Sequence, residues 1–193
     1  MSAAEPLHAL AHVAPGHHGA PGAGLVIGFP RREVVQVLAR RGAAPALAAA
    51  AQGVLGLTLP GPGGAAEAGG IAALWTQPEG WMLIAPWAGE GTLLGRASAL
   101  APHAALTDQS HGRSVIALSG PAWAQALARC CRLDLHPAAF PRGRVVGATV
   151  GHVQAVLHAT GAGVELICFS TLAEELLGTL VEAGLTFGVE VAG

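Results

Sequence analysis

Asp108, Ser110 and His111 stand within four residues of one another, the residue types of a hydrolase's acid, nucleophile and base. The spacing argues against that chemistry. Triad members arrive from separate chain segments and the nucleophile sits on a strained turn, whereas close neighbours on one strand point to alternate faces. A structural role fits better: Asp108 and Arg113 form an ion pair or hydrogen-bond network that fixes a turn at His111-Gly112. Asp134 and His136, followed by Pro137, read as a rigid loop whose carboxylate caps backbone amides. Their use as metal ligands with His152 or His158 lacks any ligand spacing. Those two histidines fall in expected strands and read as satisfied structural residues. With no nucleophile, carboxylate pair or metal box, the chain is expected to be non-catalytic by itself.

Two glycine-rich stretches invite a phosphate-binding reading. Pro60 to Gly70 is followed by an expected strand, and a phosphate cradle needs helix N-terminal amides, so a linker is the better expectation. Gly89, Gly91 and Gly95 lie between an expected strand and helix, but that strand belongs to a hairpin and no acid follows at the dinucleotide spacing. A turn entering a helix is expected there, and no cofactor. The 3 cysteines, two of them the adjacent Cys130 and Cys131, make neither a disulfide framework nor a C-x-x-C pair and read as small buried hydrophobes.

The composition narrows the partners. With a net charge of −2, nothing suggests a nucleic-acid or polyphosphate partner. All 10 basic residues are Arg, and Lys, Asn and Tyr are absent. Charged residues make up 11% of the chain, against roughly 25% in an ordinary soluble domain. Either alanine dilutes charge everywhere, or a partner covers much of the surface, because stable interfaces deplete charge at their centres. Trp75, Trp81 and Trp87 are then candidates for a partner interface or for the core. The charge-free run from Gly42 to Leu59 is too short and too interrupted to span a bilayer, and the first thirty residues lack the basic start and apolar segment of a secretion signal. A cytoplasmic protein with no membrane and no nucleic-acid partner is expected.

The elements that would position these residues follow from periodicity. Residues 1 to about 23, rich in Pro, Gly and His, read as a loose N-terminal arm, with His17-His18 part of that flexible tail. One domain over 24–193 is expected, in halves at about 31–110 and 111–193. Strands are expected at about 33–39, 71–85 (a hairpin about Gln77-Pro78-Glu79-Gly80), 104–108, 113–119, 144–150, 152–159, 163–169 and 185–191. Helices are expected at about 44–55, 92–100, 121–131 and 172–183, the third opened by Ser119-Gly120-Pro121 with Pro121 in its first position, the last by a Thr171/Glu174 capping box. The order is β-α-β-β-α-β, repeated with one extra strand. The fold class is α+β with two ferredoxin-like halves.

The ordered string Asp108, Ser110, His111, Arg113, Ser114, Leu118, Ser119, Gly120, Pro121, then Leu133-Asp134-Leu135-His136-Pro137, Phe140-Pro141 and Gly143 resembles the gamma subunit of heterotetrameric sarcosine oxidase. The resemblance extends more loosely from about Val34 to Gly188 and leaves out the first thirty residues and the insertion at 60–70. That family is similar to the folate-binding domain of the glycine-cleavage T-protein, which implies the same two-half fold. The resemblance implies a subunit of a complex that demethylates sarcosine to glycine, passing the one-carbon unit to tetrahydrofolate or releasing formaldehyde, and making hydrogen peroxide. FAD, FMN, NAD and tetrahydrofolate would belong to the assembled complex, the flavins and NAD on the larger alpha and beta subunits. The chain would contact the alpha subunit and join beta and delta. Three other readings stay open: a gamma-like subunit of N-methylglutamate dehydrogenase, a stand-alone folate-binding module with Asp108 or Asp134 on the pterin, and a small enzyme using Asp108 and His111. The absence of Tyr and Lys disfavours the folate module.

Overall fold

Runs such as Trp81-Met82-Leu83-Ile84-Ala85 are apolar at every position, the pattern of a strand buried on both faces. The computed structural model, which describes residues 9–192, shows what covers those faces. The elements are β1 (Gly16–His18), β2 (Leu25–Gly28), β3 (Arg32–Ala39), α1 (Ala44–Leu55), β4 (Ala65–Ala68), β5 (Ile71–Gln77), β6 (Gly80–Pro86), α2 (Thr92–Ala97) and β7 (Ala104–Asp108). They continue with β8 (Arg113–Ser119), α3 (Trp123–Leu127), β9 (Val145–Val150), β10 (Val153–Ala159), β11 (Gly163–Phe169), α4 (Ala173–Gly184) and β12 (Val189–Val191).

The strands form two sheets. The smaller has the order β4-β5-β6-β3-β7, with every pairing antiparallel. The larger has the order β1-β12-β2-β8-β11-β10-β9, antiparallel except for the parallel pair β12–β2. Because side chains alternate along a strand, each sheet offers two faces. One face of the smaller sheet packs Val35, Val37 and Leu83 against Leu47 and Ala51 of α1 and Leu93 and Ala97 of α2. One face of the larger packs Ile116, Leu157 and Leu166 against Leu127 of α3 and Leu176 and Leu180 of α4. The remaining faces meet each other through Val34, Leu74, Met82, Ile84, Val115, Val145 and Ile167. The layers are therefore helix, sheet, sheet, helix, an α+β fold in which each fully buried Leu or Ile contributes about 1.5–3 kcal/mol.

Several expectations need correction. Residues 9–23 are no loose arm: β1 pairs with β12 in the register Gly16↔Val191 to His18↔Val189, and Leu10 lies in the larger core. Gly19 sits where backbones meet, since a Cβ there would run into the carbonyl of Leu185, and a Cβ at Gly188 would likewise run into that of Gly22. The first eight residues of the expected arm lie outside the described residues. The stretch at 60–70 holds β4, which adds an edge to β5. β2, unforeseen, stands between β12 and β8, so the two halves are not built alike. The tail strand covers only Val189–Val191, after a 3-10 turn at Leu185–Phe187.

The helix starts differ as well. α3 covers Trp123–Leu127 with Ala122 as its N-cap and no side-chain cap, so Pro121 sits in the turn before it. Residues beyond Leu127 tighten into 3-10-type bonds, and Cys131 then bridges to Val150. The capping box does not form either. A 3-10 turn at Ser170–Leu172 leads into α4, Leu172 is the cap, and no side chain bonds the freed amides. Glu174 and Glu175 still complement the helix dipole in the first turn.

Candidate functional site

The motif residues build two anchored turns. Asp108 ends β7, and its Oδ1 accepts hydrogen bonds from Ser110 N (2.9 Å) and Ser110 Oγ (2.6 Å). Ser110 Oγ in turn accepts from Val34 N at 3.0 Å, so the turn is pinned to β3. His111 faces elsewhere, with its Nε2 3.9 Å from Glu90 Oε1 and its ring edge-on to Trp87. Acid and hydroxyl are together and the imidazole is not, which leaves Ser110 without the base a nucleophile needs. The expected Asp108–Arg113 pair is corrected by the same geometry: Arg113 Nε donates to Gln109 Oε1 at 2.9 Å and its guanidinium lies 3.9 Å over the Phe169 ring.

Gly120 and Pro121 shape the next turn. Gly120 has φ 92°, and a Cβ there would stand 2.7 Å from Gly24 O, the carbonyl that accepts from Ala122 N. Ser119-Gly120-Pro121 thus clamps the entry to β2. Asp134 Oδ1 accepts from His136 N at 2.9 Å, and His136 Nδ1 accepts from Ala138 N at 3.2 Å, the self-contained loop expected from the sequence. His152 is exposed and His158 is buried, so no ligand pair forms with His136. Among the described residues no group of three or more His, Cys, Asp or Glu could hold a metal ion.

The three tryptophans separate. Trp81 is 8% exposed, lies in the core under the helices and donates Nε1 to Pro60 O at 2.9 Å, so it is not an interface residue. Trp75 is half-buried against the same core. Trp87 is half-buried at the surface, with the Arg31 guanidinium 3.9 Å from its ring centroid.

The glycines at 89–95 do not fit a dinucleotide. α2 has 6 residues, and its Leu93 amide donates at 2.9 Å to Oε1 of Glu33, a carboxylate only 2% exposed. A buried side-chain acceptor already occupies the end where a phosphate would sit.

Sequence reasoning missed a cleft of about 930 Å³ between the sheets, lined by Arg32, Ile84, Ala117, Arg142, His158 and Glu165 among others. Arg32 Nη2 donates to Glu165 Oε1 at 2.6 Å, joining β3 to β11. His158 Nδ1 stands 3.8 Å from Glu165 Oε2, too far for a hydrogen bond, and has no hydrogen-bond partner although His158 is 3% exposed. Burial pushes the Glu165 carboxyl up, but His158 and Arg32 outweigh it and hold it below its ordinary value. The expectation that His158 is a satisfied structural residue is therefore corrected. The signal for this cluster was present in the sequence as Glu165 inside G-V-E-L-I-C-F and His158 inside V-L-H-A, polar breaks in strands apolar on both faces.

A family model described as sarcosine oxidase, gamma subunit family, matches residues 40–184. The chain belongs to that family. The gamma subunit of sarcosine oxidase from Arthrobacter sp. is 39% identical over 99 residues, covering 51% of this chain and 47% of that protein. The gamma subunit from Corynebacterium sp. (strain U-96) is 38% identical over 117 residues, covering 58% and 56%. The matched stretch thus spans about half the length of the curated relatives. A chain of heterotetrameric sarcosine oxidase from Corynebacterium sp. U-96, solved in complex with pyrrole 2-carboxylate, superposes with TM-score 0.79 at 26% identity, covering 94% of this chain and 96% of that one. Glycine cleavage system aminomethyltransferase T from Bartonella henselae shares the fold, with TM-score 0.59 at 14% identity over 89% of this chain and 48% of that one. In this member of the sarcosine oxidase gamma family the two anchored turns, His158 and Glu165 lie inside the matched residues, whereas Arg32 and the paired segment of β1 and β2 precede them.

Proposed function

We propose that the chain is a non-catalytic gamma subunit of a heterotetrameric sarcosine oxidase. The observation that carries this reading is the superposition over nearly the full length of both chains on a member of such a complex. The Asp108–Ser110 pair lacks a base, which supports a structural role for the motif. In such a complex, flavin on the larger subunits would supply the two-electron oxidation of the N-methyl group of sarcosine, with the carbon passed to tetrahydrofolate or released as formaldehyde and the electrons taken by oxygen as hydrogen peroxide. FAD, FMN and NAD would reside on the larger subunits, in keeping with the capped start of α2. The alpha subunit would make the direct contact, with Trp75 and Trp87 as candidate anchors, and the assembly would sit in the cytoplasm. Each half would be a ferredoxin-like unit. The order β5-β6-β3-β7 supports this in the first, and β12, β8, β11 and β10 with β2 intervening support it in the second.

Co-expression with the neighbouring genes of its operon, followed by pull-down and size-exclusion chromatography, tests this. A yellow complex containing two larger chains and one small one is the expected result, with turnover of sarcosine. Turnover of N-methylglutamate instead would move the assignment to the related dehydrogenase. A colourless monomer that ignores the co-expressed chains would refute the subunit reading.

A further inference from the structure

The cleft between the sheets carries an imbalance of polar groups. A guanidinium has five N–H donors, and the contacts of Arg32 use one nitrogen, Nη2, on Glu165 Oε1. His158 Nδ1 is buried with no hydrogen-bond partner and adds a donor in the tautomer that carries its proton. Arg142 lines the mouth, 73% exposed, with Glu67 as its ion-pair partner at 3.9 Å. Against these donors stand the two carboxylates, and Glu165 already serves Arg32. The surrounding wall is apolar: Ile71, Ile84, Ala117 and Val164. The volume lies within the roughly 300–1,000 Å³ usual for small-molecule sites, and an apolar cavity with a few convergent polar groups is their usual form.

We propose that this cleft binds a small molecule with a carboxylate and an apolar body, its carboxylate held by Arg32 and His158. A carboxylate is acceptor-only and matches the surplus of donors. An ammonium ligand would have to take Glu165 from Arg32 and would leave the remaining guanidinium donors without acceptors. The trio comes from β3, β10 and β11, so both sheets hold the site and its geometry does not depend on a loop. The proposal goes beyond the subunit assignment and does not rest on it.

Isothermal titration of the full-length chain with benzoate tests the proposal, with benzamide as the neutral isostere and benzylammonium as the cationic control. Benzoate should bind saturably with one site per chain, at least about tenfold more tightly than either control, the difference a charge-assisted hydrogen bond supplies. In R32M/E165Q, which removes the cation and its paired acid together, benzoate should weaken at least about tenfold and benzamide remain unchanged. If that variant does not fold, H158Q carries the test with a loss of at least about fivefold. The proposal is overturned if benzoate fails to saturate, if benzamide binds as tightly as benzoate, or if a folded variant keeps full affinity.

Discussion

Arg32 and Glu165 join the two sheets beside the cleft, and Arg32→Met removes that joint. It leaves a carboxylate whose side chain is 13% exposed with His158 3.8 Å away as its remaining partner. Breaking a fully buried pair costs about 3–5 kcal/mol. The Arg32 side chain is 27% exposed, so solvent screens part of this and the expected loss is about 2–3 kcal/mol. Glu165→Gln in the same chain removes the stranded charge, so the double variant should regain about 1 kcal/mol or more over Arg32→Met alone.

The pH dependence fixes the sign. In the wild type the Glu165 carboxyl is pushed up by burial but held below its ordinary value by His158 and Arg32. A group whose pKa is lowered by folding contributes stability above its unfolded pKa, about 4.3 for Glu. It loses that contribution as pH falls through the folded value. In Arg32→Met, burial is opposed by His158 alone and the folded pKa rises. The stability gap between wild type and variant is thus fully present at pH 7 and closes as pH falls below about 4. Urea unfolding followed by tryptophan fluorescence at pH 7 and at about pH 3 measures both quantities. Equal losses at the two pH values, or a double variant whose loss is the sum of the single losses, would refute the reasoning.

Other residues give independent expectations. Gly120→Ala meets both a positive φ and the Gly24 carbonyl, so thermal unfolding should show a loss of about 1–3 kcal/mol. Trp81→Ala empties a core position and should cost about 3–5 kcal/mol by urea titration. Trp87→Ala at the surface should cost under about 1 kcal/mol while weakening capture of the partner subunit in a pull-down. Burial pushes the Cys168 thiol up to about 11, and burial together with neighbouring Cys131 does the same for Cys130. Iodoacetamide at pH 8 should therefore leave both unmodified by mass spectrometry until urea unfolds the chain, because the thiolate is the reactive form.

The parts of the fold legible in the sequence are those with local punctuation. β7, β8 and β11 occur with the expected bounds, because each apolar run is framed by polar or glycine residues. α1 ends as its sequence suggests, at Gly56 in the left-handed conformation with φ 66°. The motif turns were legible as turns, although Arg113 chose Gln109 and Phe169 over Asp108: the Asp108 carboxylate is consumed by the nearer Ser110. β1 and β2, with 3 and 4 residues, carry almost no periodicity and owe their existence to pairing with distant strands. The cleft was hidden for a related reason. Arg32, His158 and Glu165 converge only because two sheets face each other, and one-dimensional spacing holds no trace of that approach.

The wedge of β2 between β12 and β8 has a consequence for how the chain matures on the ribosome. The smaller sheet is drawn from one continuous stretch, Arg32 to Asp108, and has all its strands as soon as that stretch emerges. The larger sheet needs Leu25–Gly28, made early, beside Val189–Val191, made late. Such distant pairings are slow to form, and an exposed strand edge waiting for its neighbour is open to wrong ones. For much of synthesis β2 has only β8 to lean on, and its other edge stays open until β12 arrives. A stop before residue 189 would release a protein with one finished sheet and one unfinished one.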